Sequence, residues 1–275
     1  MERAKDVIEK ADQVELHILI TGASGGLGTA LAHHYAKPGV RLSLWGRDVD
    51  RLTVLAQACR ERGAQAKFRS LDLTDLDASL VALEQDDTAD PIALAIFASG
   101  LGDIRAAEEQ VESAATVARL GLVNFVAPTT LAAALATRMA ARGGETGGRR
   151  TRHGAIVLVG SAAAFHALPF AAAYSGTKAG LARFAAALRL AVRPHGVDVT
   201  LVSPGFIDTA AGRKVPGPRP LLMSPVAVAA RIAKAAERGE AHAIMPWPFA
   251  VLRWFDRLLP APLRDRVLMA LTPPP

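Results

Sequence analysis

The fold turns on residues 17–28, His17-Ile18-Leu19-Ile20-Thr21-Gly22-Ala23-Ser24-Gly25-Gly26-Leu27-Gly28. A short apolar run enters a turn rich in glycine, and beyond it Leu27, Leu31 and Tyr35 recur at helical spacing. Strand, glycine turn and helix therefore follow one another without a spacer. Glycine permits left-handed backbone and lets N–H groups approach a ligand closely. The helix that follows directs the positive end of its dipole at the turn, so the segment is suited to cradle a pyrophosphate. The plainer alternative, a purely structural turn, weakens because a strand precedes the glycines and a helix follows.

Working outward, the same alternation repeats along the chain. Apolar runs at His17–Thr21, Val40–Trp45, Ala66–Ser70, Ile92–Ala98, Ala155–Gly160, Val197–Val202 and Ala243–Met245 read as strands. Helical periods cover Gly26–Lys37, Asp48–Arg62, Asp75–Glu84, Ser113–Arg142, Tyr174–Arg193 and Pro225–Arg238. Strand–helix alternation predicts an α/β, doubly wound Rossmann-type fold, a seven-stranded parallel sheet with helices on both faces. Residues 1–275 are expected to form one domain, with 1–14 a tail, 206–224 a substrate lid and 246–275 an amphipathic C-terminal extension. The lid follows a strand and so lies at the C-terminal sheet edge, where open α/β sheets bind ligands. The Gly- and Arg-rich insertion Arg142–His153 precedes a strand and falls at the opposite edge.

Composition sets the outer bounds. The chain of 275 residues is 51% hydrophobic and 21% charged, which excludes wholesale disorder. One cysteine, Cys59, excludes a disulfide framework and a cysteine-rich zinc site, and no His/Asp/Glu cluster has ligand spacing. The net charge of +6 is spread over mixed-sign sequence, and the dense cluster Arg149, Arg150, Arg152, His153 reads as a solvated loop, so nucleic acid is not expected. Met1–Glu15 has no apolar core of a secretory signal. The charge-free stretch Gly154–Thr177 contains Gly160, Ser161, His166, Pro169 and Ser175, which fits a strand plus loop better than a membrane span. A cytoplasmic protein is expected.

Two further motifs carry chemistry. The second strand ends Leu44-Trp45-Gly46-Arg47, where an acidic residue would select the ribose hydroxyl of NAD. Gly46 leaves space and Arg47 offers a guanidinium for a phosphate, which favours NADP(H) over NAD(H). Asp48 is then the cap of the next helix. Further on, Tyr174-Ser175-Gly176-Thr177-Lys178 places tyrosine and lysine one helical turn apart. A phenol with its ordinary pKa near 10 is a poor neutral-pH acid or base, and a nearby ammonium favours the phenolate. Ser161, thirteen residues before Tyr174, stands just past a strand, where its hydroxyl can hold a substrate oxygen.

Together these pieces resemble the short-chain dehydrogenase/reductase family in its compact single-domain branch. The matching segments are Thr21–Gly28, Asp72 in Leu71-Asp72-Leu73, Asn124 in Val123-Asn124-Phe125, Ser161, Tyr174 with Lys178, and Pro204-Gly205-Phe206-Ile207-Asp208-Thr209. The resemblance implies that Tyr174 is the general acid in carbonyl reduction and the base in alcohol oxidation. It implies that Lys178 binds the nicotinamide ribose and lowers the Tyr174 pKa, that Ser161 polarises the substrate oxygen, and that Asn124 holds a relay water. Gly22, Ser24, Gly26, Leu27, Gly28, Arg47, Asp72, Leu73, Ala98, Gly100, Pro204, Gly205, Ile207 and Thr209 would line the cofactor with Tyr174 and Lys178. Where the family commonly has Asn-Asn-Ala-Gly after the fourth strand, this chain has Phe97-Ala98-Ser99-Gly100. A homodimer or homotetramer is also implied, with the helices bearing Asn124 and Tyr174 at the dimer interface and the alanine-rich faces Ala132–Ala136 and Ala182–Ala187 allowing close approach.

Several readings stay open at this level. Val251, Leu252, Phe255, Leu258 and Leu259 form a helical stripe that could pack on the body or a second subunit, close the pocket, or lie on a membrane surface. His166 is a pocket-lining residue or a second proton-transfer group. Arg213, Lys214 and Arg219 are solvated charges or contacts for an anionic substrate. The functional reading is an oxidoreductase acting on a small carbonyl or secondary alcohol. Its rival is a dinucleotide-binding sensor on the same fold, which would have no need of the Asn124, Ser161, Tyr174 and Lys178 set.

Overall fold

The computed structural model describes residues 16–102, 111–142, 153–213, 217–254 and 258–270. Its strands are β1 (Leu16–Thr21), β2 (Val40–Gly46), β3 (Gln65–Ser70), β4 (Leu94–Phe97), β5 (Gly154–Val159), β6 (Val197–Pro204) and β7 (His242–Met245). They form one seven-stranded sheet in the order β3-β2-β1-β4-β5-β6-β7, every pair parallel. The principal helices are α1 (Gly26–Tyr35), α2 (Val49–Glu61), α3 (Leu76–Ala89), α4 (Ala114–Gly121), α5 (Ala127–Ala141), α6 (Ala172–Val192), the short α7 (Ala210–Arg213), α8 (Pro225–Glu237), α9 (Pro248–Leu252) and α10 (Ala261–Ala270).

Strand alternation builds the two cores. Ile18 and Ile20 point to a layer filled by Leu27 and Leu31 of α1, Leu52, Leu55 and Cys59 of α2, and Val228 and Ile232 of α8. Leu19 points to the opposite layer, with Leu83 of α3, Leu131, Leu135 and Met139 of α5, and Leu181 and Ala185 of α6. A sheet covered on both faces explains why its strands read as continuous apolar runs. Asp48, Asp75, Ser113 and Ser224 each cap a helix by accepting from the N–H three residues on, including the cap expected at Asp48.

Four differences from the sequence reading have identifiable causes. Strand β4 is only Leu94–Phe97, because Ile92 is held by its N–H donating to Asp87 rather than by the ladder. The long helical period after Ser113 is interrupted by a π-helical turn at Leu122–Val126. There Ala127 N–H bonds the Leu122 carbonyl, and Pro128, lacking an N–H, cannot make the α-helical bond to the Asn124 carbonyl. Of the C-terminal stripe, Val251 and Leu252 lie in α9, whereas Leu258 and Leu259 fall before Pro260 and outside α10. Finally, Ala132, Ala136 and Ala185 are buried in the chain's own core and unavailable to a second subunit, whereas Ala133, Ala186 and Ala187 remain exposed. The stretch Ala114–Ala141 is long and apolar enough to cross a bilayer by length and composition, but half of it is buried and α5 packs on the sheet as a core helix. Residues 143–152 of the insertion, Lys214, Phe255 and the 1–14 tail lie outside the described residues.

Candidate active site

In this strand order the chain leaves β1 toward one side of the sheet and β4 toward the other. A crevice therefore opens at their C-terminal ends, where Thr21 pairs with both Trp45 and Phe97. The glycine turn lines it. Gly22 has φ +68°, and a Cβ there would lie 2.8 Å from the Ser99 Cα, so only glycine fits between β1 and the loop after β4. Ala23 N–H donates to the Trp45 carbonyl at 2.9 Å, tying the turn to β2. Ser99 N–H donates to Thr21 Oγ1 at 3.3 Å, so a threonine hydroxyl braces the point where the expected asparagine is missing. Among the described residues no side chain caps α1, which leaves the N–H groups of its first turn free for an anion at the crevice. A Cβ at Gly26 would meet Thr209 Cγ2 at 2.7 Å, so the start of the 206–224 segment closes against the turn. The cradle, the uncapped helix start and the crevice all fit a dinucleotide.

The side chains expected to carry the chemistry converge from the end of β5, the π-helical turn Leu122–Val126, α6 and the loop after β4. Ser161 begins the 3-10 turn Ala162–Phe165, where its Oγ accepts from Ala163 N–H at 3.1 Å and its hydroxyl bonds that of Tyr174. Lys178 is buried, its Nζ donates to the Val159 carbonyl at 3.0 Å, and it lies 6.0 Å from the Tyr174 ring centre. A Cβ on Gly100 would stand 3.4 Å from both Lys178 Nζ and Asn124 Oδ1, so Gly100 lies directly beside both groups. Asn124 is fully buried: Leu101 N–H donates to its Oδ1 and its Nδ2 donates to the Leu101 carbonyl, each at 2.8 Å. Its side chain thus braces the loop after β4, a role the sequence reading did not assign. The Asn124 main-chain carbonyl receives no α-helical N–H from Pro128.

Burial dominates the electrostatics. It pulls the Lys178 ammonium down from 10.5 to about 8. It pushes the Tyr174 phenol up, and the influence opposing that rise is the hydrogen bond from Ser161. Lys178, expected to lower the phenol pKa, has its Nζ engaged by the Val159 carbonyl. Asp72 is held below the ordinary carboxylate range by the Thr74 N–H and hydroxyl, at 3.0 and 2.9 Å, with a smaller contribution from the Arg47 charge.

The remaining expected residues are dispersed around this centre. Arg47 is exposed at the end of β2, and Ser24 Oγ occupies the space a side chain on Gly46 would take. Leu73 lies in the apolar core, so it has only backbone to offer a ligand. Ala98 packs beside the core after β4, and Leu27 and Gly28 sit in the buried first turn of α1. Pro204 ends β6, Gly205 N–H donates to the Met245 carbonyl, and Ile207 bridges to Met223. Thr209 accepts from Gly212 N–H and starts α7. Phe165 packs edge-on against His166 and lies 6.0 Å from the His242 ring.

Glu112 escaped the sequence reading entirely. Both its carboxylate oxygens accept from Ala173 N–H at 3.1 Å, capping α6 one residue before Tyr174. Sixty-one residues separate the partners, so no local pattern announces the contact.

With this geometry in hand, comparisons place the chain among known proteins. The family model for short chain dehydrogenases matches residues 16–218. An uncharacterized oxidoreductase of Myxococcus xanthus is 34% identical over 249 residues, covering 90% of this chain and 94% of the relative. An uncharacterized oxidoreductase of Mycobacterium tuberculosis is 33% identical over 253 residues, covering 88% and 93%. Among solved structures, a short-chain dehydrogenase from Sphingobium yanoikuyae in complex with NADPH is 29% identical with a TM-score of 0.74, covering 94% of this chain and 96% of that one. A bulky-bulky ketone specific alcohol dehydrogenase from Comamonas testosteroni is 29% identical with a TM-score of 0.72, covering 94% and 95%.

Proposed function

The chain belongs to the short-chain dehydrogenase/reductase family and is an oxidoreductase of that family; from that premise we propose that it reduces a small-molecule carbonyl, reversibly with the secondary alcohol, using NADP(H) and Tyr174 as the proton-transfer group. The observation that carries the reading is the meeting of Ser161, Tyr174 and Lys178 beside Gly100. When bound, the nicotinamide supplies or accepts the hydride. The chain's own residues do the rest. The N–H groups at the start of α1 and the Gly22–Gly28 turn hold the pyrophosphate. Lys178 presents ammonium protons to the ribose hydroxyls and, once held there, keeps a positive charge near the phenol. Ser161 donates to the substrate oxygen and fixes it against Tyr174, whose hydroxyl gives up its proton as the carbonyl becomes an alcohol. The proton is replaced from solvent by way of Lys178 and a water on the Asn124 carbonyl.

Preference for NADP(H) is supported by the exposed Arg47 following a glycine, where its guanidinium can meet a 2′-phosphate. Gly22, Ser24, Gly26, Leu27, Gly28, Asp72, Leu73 (by its backbone), Ala98, Gly100, Pro204, Gly205, Ile207 and Thr209 complete the proposed cofactor site. Self-association through the outer faces of α4, the π-helical turn after it and α6 belongs to the same reading, supported by exposed Val117, Leu122 and Leu190. The test is NADPH oxidation across acyl thioesters, keto-sugars, cyclic ketones and quinones, with Tyr174→Phe as the blank. Turnover should fall by at least about a hundredfold in the variant while NADPH affinity stays within about twofold. Undiminished turnover in Tyr174→Phe refutes the assignment of the phenol.

A further inference from the structure

The C-terminal segment carries an apolar stripe that the chain itself leaves uncovered. Trp247, Val251, Trp254 and Leu258 recur at intervals of four, three and four residues, and hydrogen bonds Trp254 N–H to Val251 and Leu258 N–H to Trp254 keep them on helical turns. Their exposures are 71, 61, 43 and 77%. The inward side of the same turns is occupied differently: Phe249 lies against Gly205, and Arg253 faces His242. Farther along, Leu268 anchors α10 to the body while Leu263 and Met269 face outward. The lid runs beside this segment. Gly205 contacts Phe249, Phe206 accepts from Met223 N–H at 3.0 Å, and the lid residues just before Met223 are the exposed pair Leu221 and Leu222. Leu221 is held at φ +58°, a left-handed conformation costly for a branched side chain.

Charge identifies what covers the stripe. Residues 206–224 and 246–275 together contain seven Arg and Lys against three Asp. A second copy docking symmetrically would set these positive segments against themselves. An anionic lipid surface attracts them, accepts the tryptophans at headgroup depth, and takes the aliphatic side chains into the acyl boundary. We infer that the exposed side chains of Trp247, Val251, Trp254 and Leu258, with the Leu221–Leu222 tip of the lid beside them, form a docking face for an anionic lipid surface. The active-site lid would then meet the bilayer, which suits a substrate that partitions into lipid.

Sedimentation of the full chain with phosphatidylcholine vesicles, with and without phosphatidylglycerol, tests the inference. Binding should be at least about tenfold stronger with the anionic lipid and should weaken as salt is added. The double variant Trp247→Ser/Trp254→Ser should lose about tenfold or more in partitioning to anionic vesicles while keeping its melting temperature, because both side chains are exposed. Arg266→Glu, an exposed charge on α10, should reduce the preference for anionic over neutral vesicles without unfolding the chain. The inference is overturned if the chain stays in the supernatant at low salt, or if the double variant binds as the parent does. It is equally overturned if light scattering shows that the tryptophan changes dissolve a homodimer, because the stripe would then belong to a second copy. None of these readings depends on turnover.

Discussion

Lys178 shows at the scale of one residue how burial and chemistry constrain each other. Burial lowers its pKa to about 8, so the charged form is penalised in the fold relative to the unfolded chain at 10.5. The penalty is fully present below pH 8 and is relieved as pH rises from about 8 toward 10.5, so this group makes the nucleotide-free chain more stable across that window. Melting temperatures measured from pH 7 to 10.5 should contain that rising contribution, and Lys178→Met should remove it. The same variant should melt at or above the parent temperature at pH 7 while losing about 10²–10⁴-fold in turnover. A melting temperature that drops in Lys178→Met at pH 7 contradicts this balance. Arg47 makes the complementary case at the surface. Its removal should cost NADPH binding about 1.5–3 kcal/mol, roughly ten- to hundredfold, and leave NADH within about twofold. Equal losses for both nucleotides, measured by fluorescence titration, would refute the 2′-phosphate contact. The exposed place of Arg47 at the end of β2 and the one-turn spacing of Tyr174 and Lys178 follow from sequence, because each depends on its own strand end or helical turn.

At the scale of elements, α6 depends on a residue from elsewhere. Its N-cap position is Ala171, which has no side chain to cap with, and the carboxylate of Glu112 does so instead. Tyr174 is only the third residue of α6, so fraying of the first turn moves the phenol directly, whereas Lys178 a turn later is buried and held by Val159. Glu112→Ala should lower stability by about 1 kcal/mol. It should reduce kcat about three- to tenfold with little change in KM for NADPH, and Glu112→Gln, which still accepts from Ala173, should recover most of the loss. A parallel rise in KM for NADPH would show a general loosening of the site rather than displacement of Tyr174. The π turn at Asn124 shows the same limit of sequence reading. Apolar spacing predicted one long helix, and the turn's register, fixed by Pro128 and the bonds to Leu101, emerges only when the loop after β4 is present.

Across the whole molecule, the buried Asp87 joins elements on one face of the sheet. Its carboxylate is raised by burial but brought below its ordinary value by hydrogen bonds from Arg142, Arg138 and the Ile92 N–H. It thereby links α3 to α5 and to the entry of β4, with Arg142 also donating to the Ile92 carbonyl at 2.9 Å. A depressed carboxylate pKa contributes stability that is present above 3.8 and is lost as pH falls through the folded-state value. Asp87→Ala should destabilise by about 2 kcal/mol at pH 7 by denaturant unfolding, with a smaller difference in strong acid. An equal difference at both pH values would show that packing, rather than charge, holds this junction.

The sequence by itself determined the alternation of strands and helices, the doubly wound class, the glycine cradle and the positions of Ser161, Tyr174 and Lys178. These are local quantities: side-chain period, helix caps, and spacing within one turn or past one strand end. Tertiary structure alone decided which strand lies beside which, that Glu112 caps α6, that Asn124 braces Leu101, and that Ala132, Ala136 and Ala185 face inward. It also decided that Trp247, Val251, Trp254 and Leu258 face out. The same apolar period serves a buried face or an exposed one, and only the identity of the opposing element, hydrogen-bonded or packed from tens of residues away, distinguishes them.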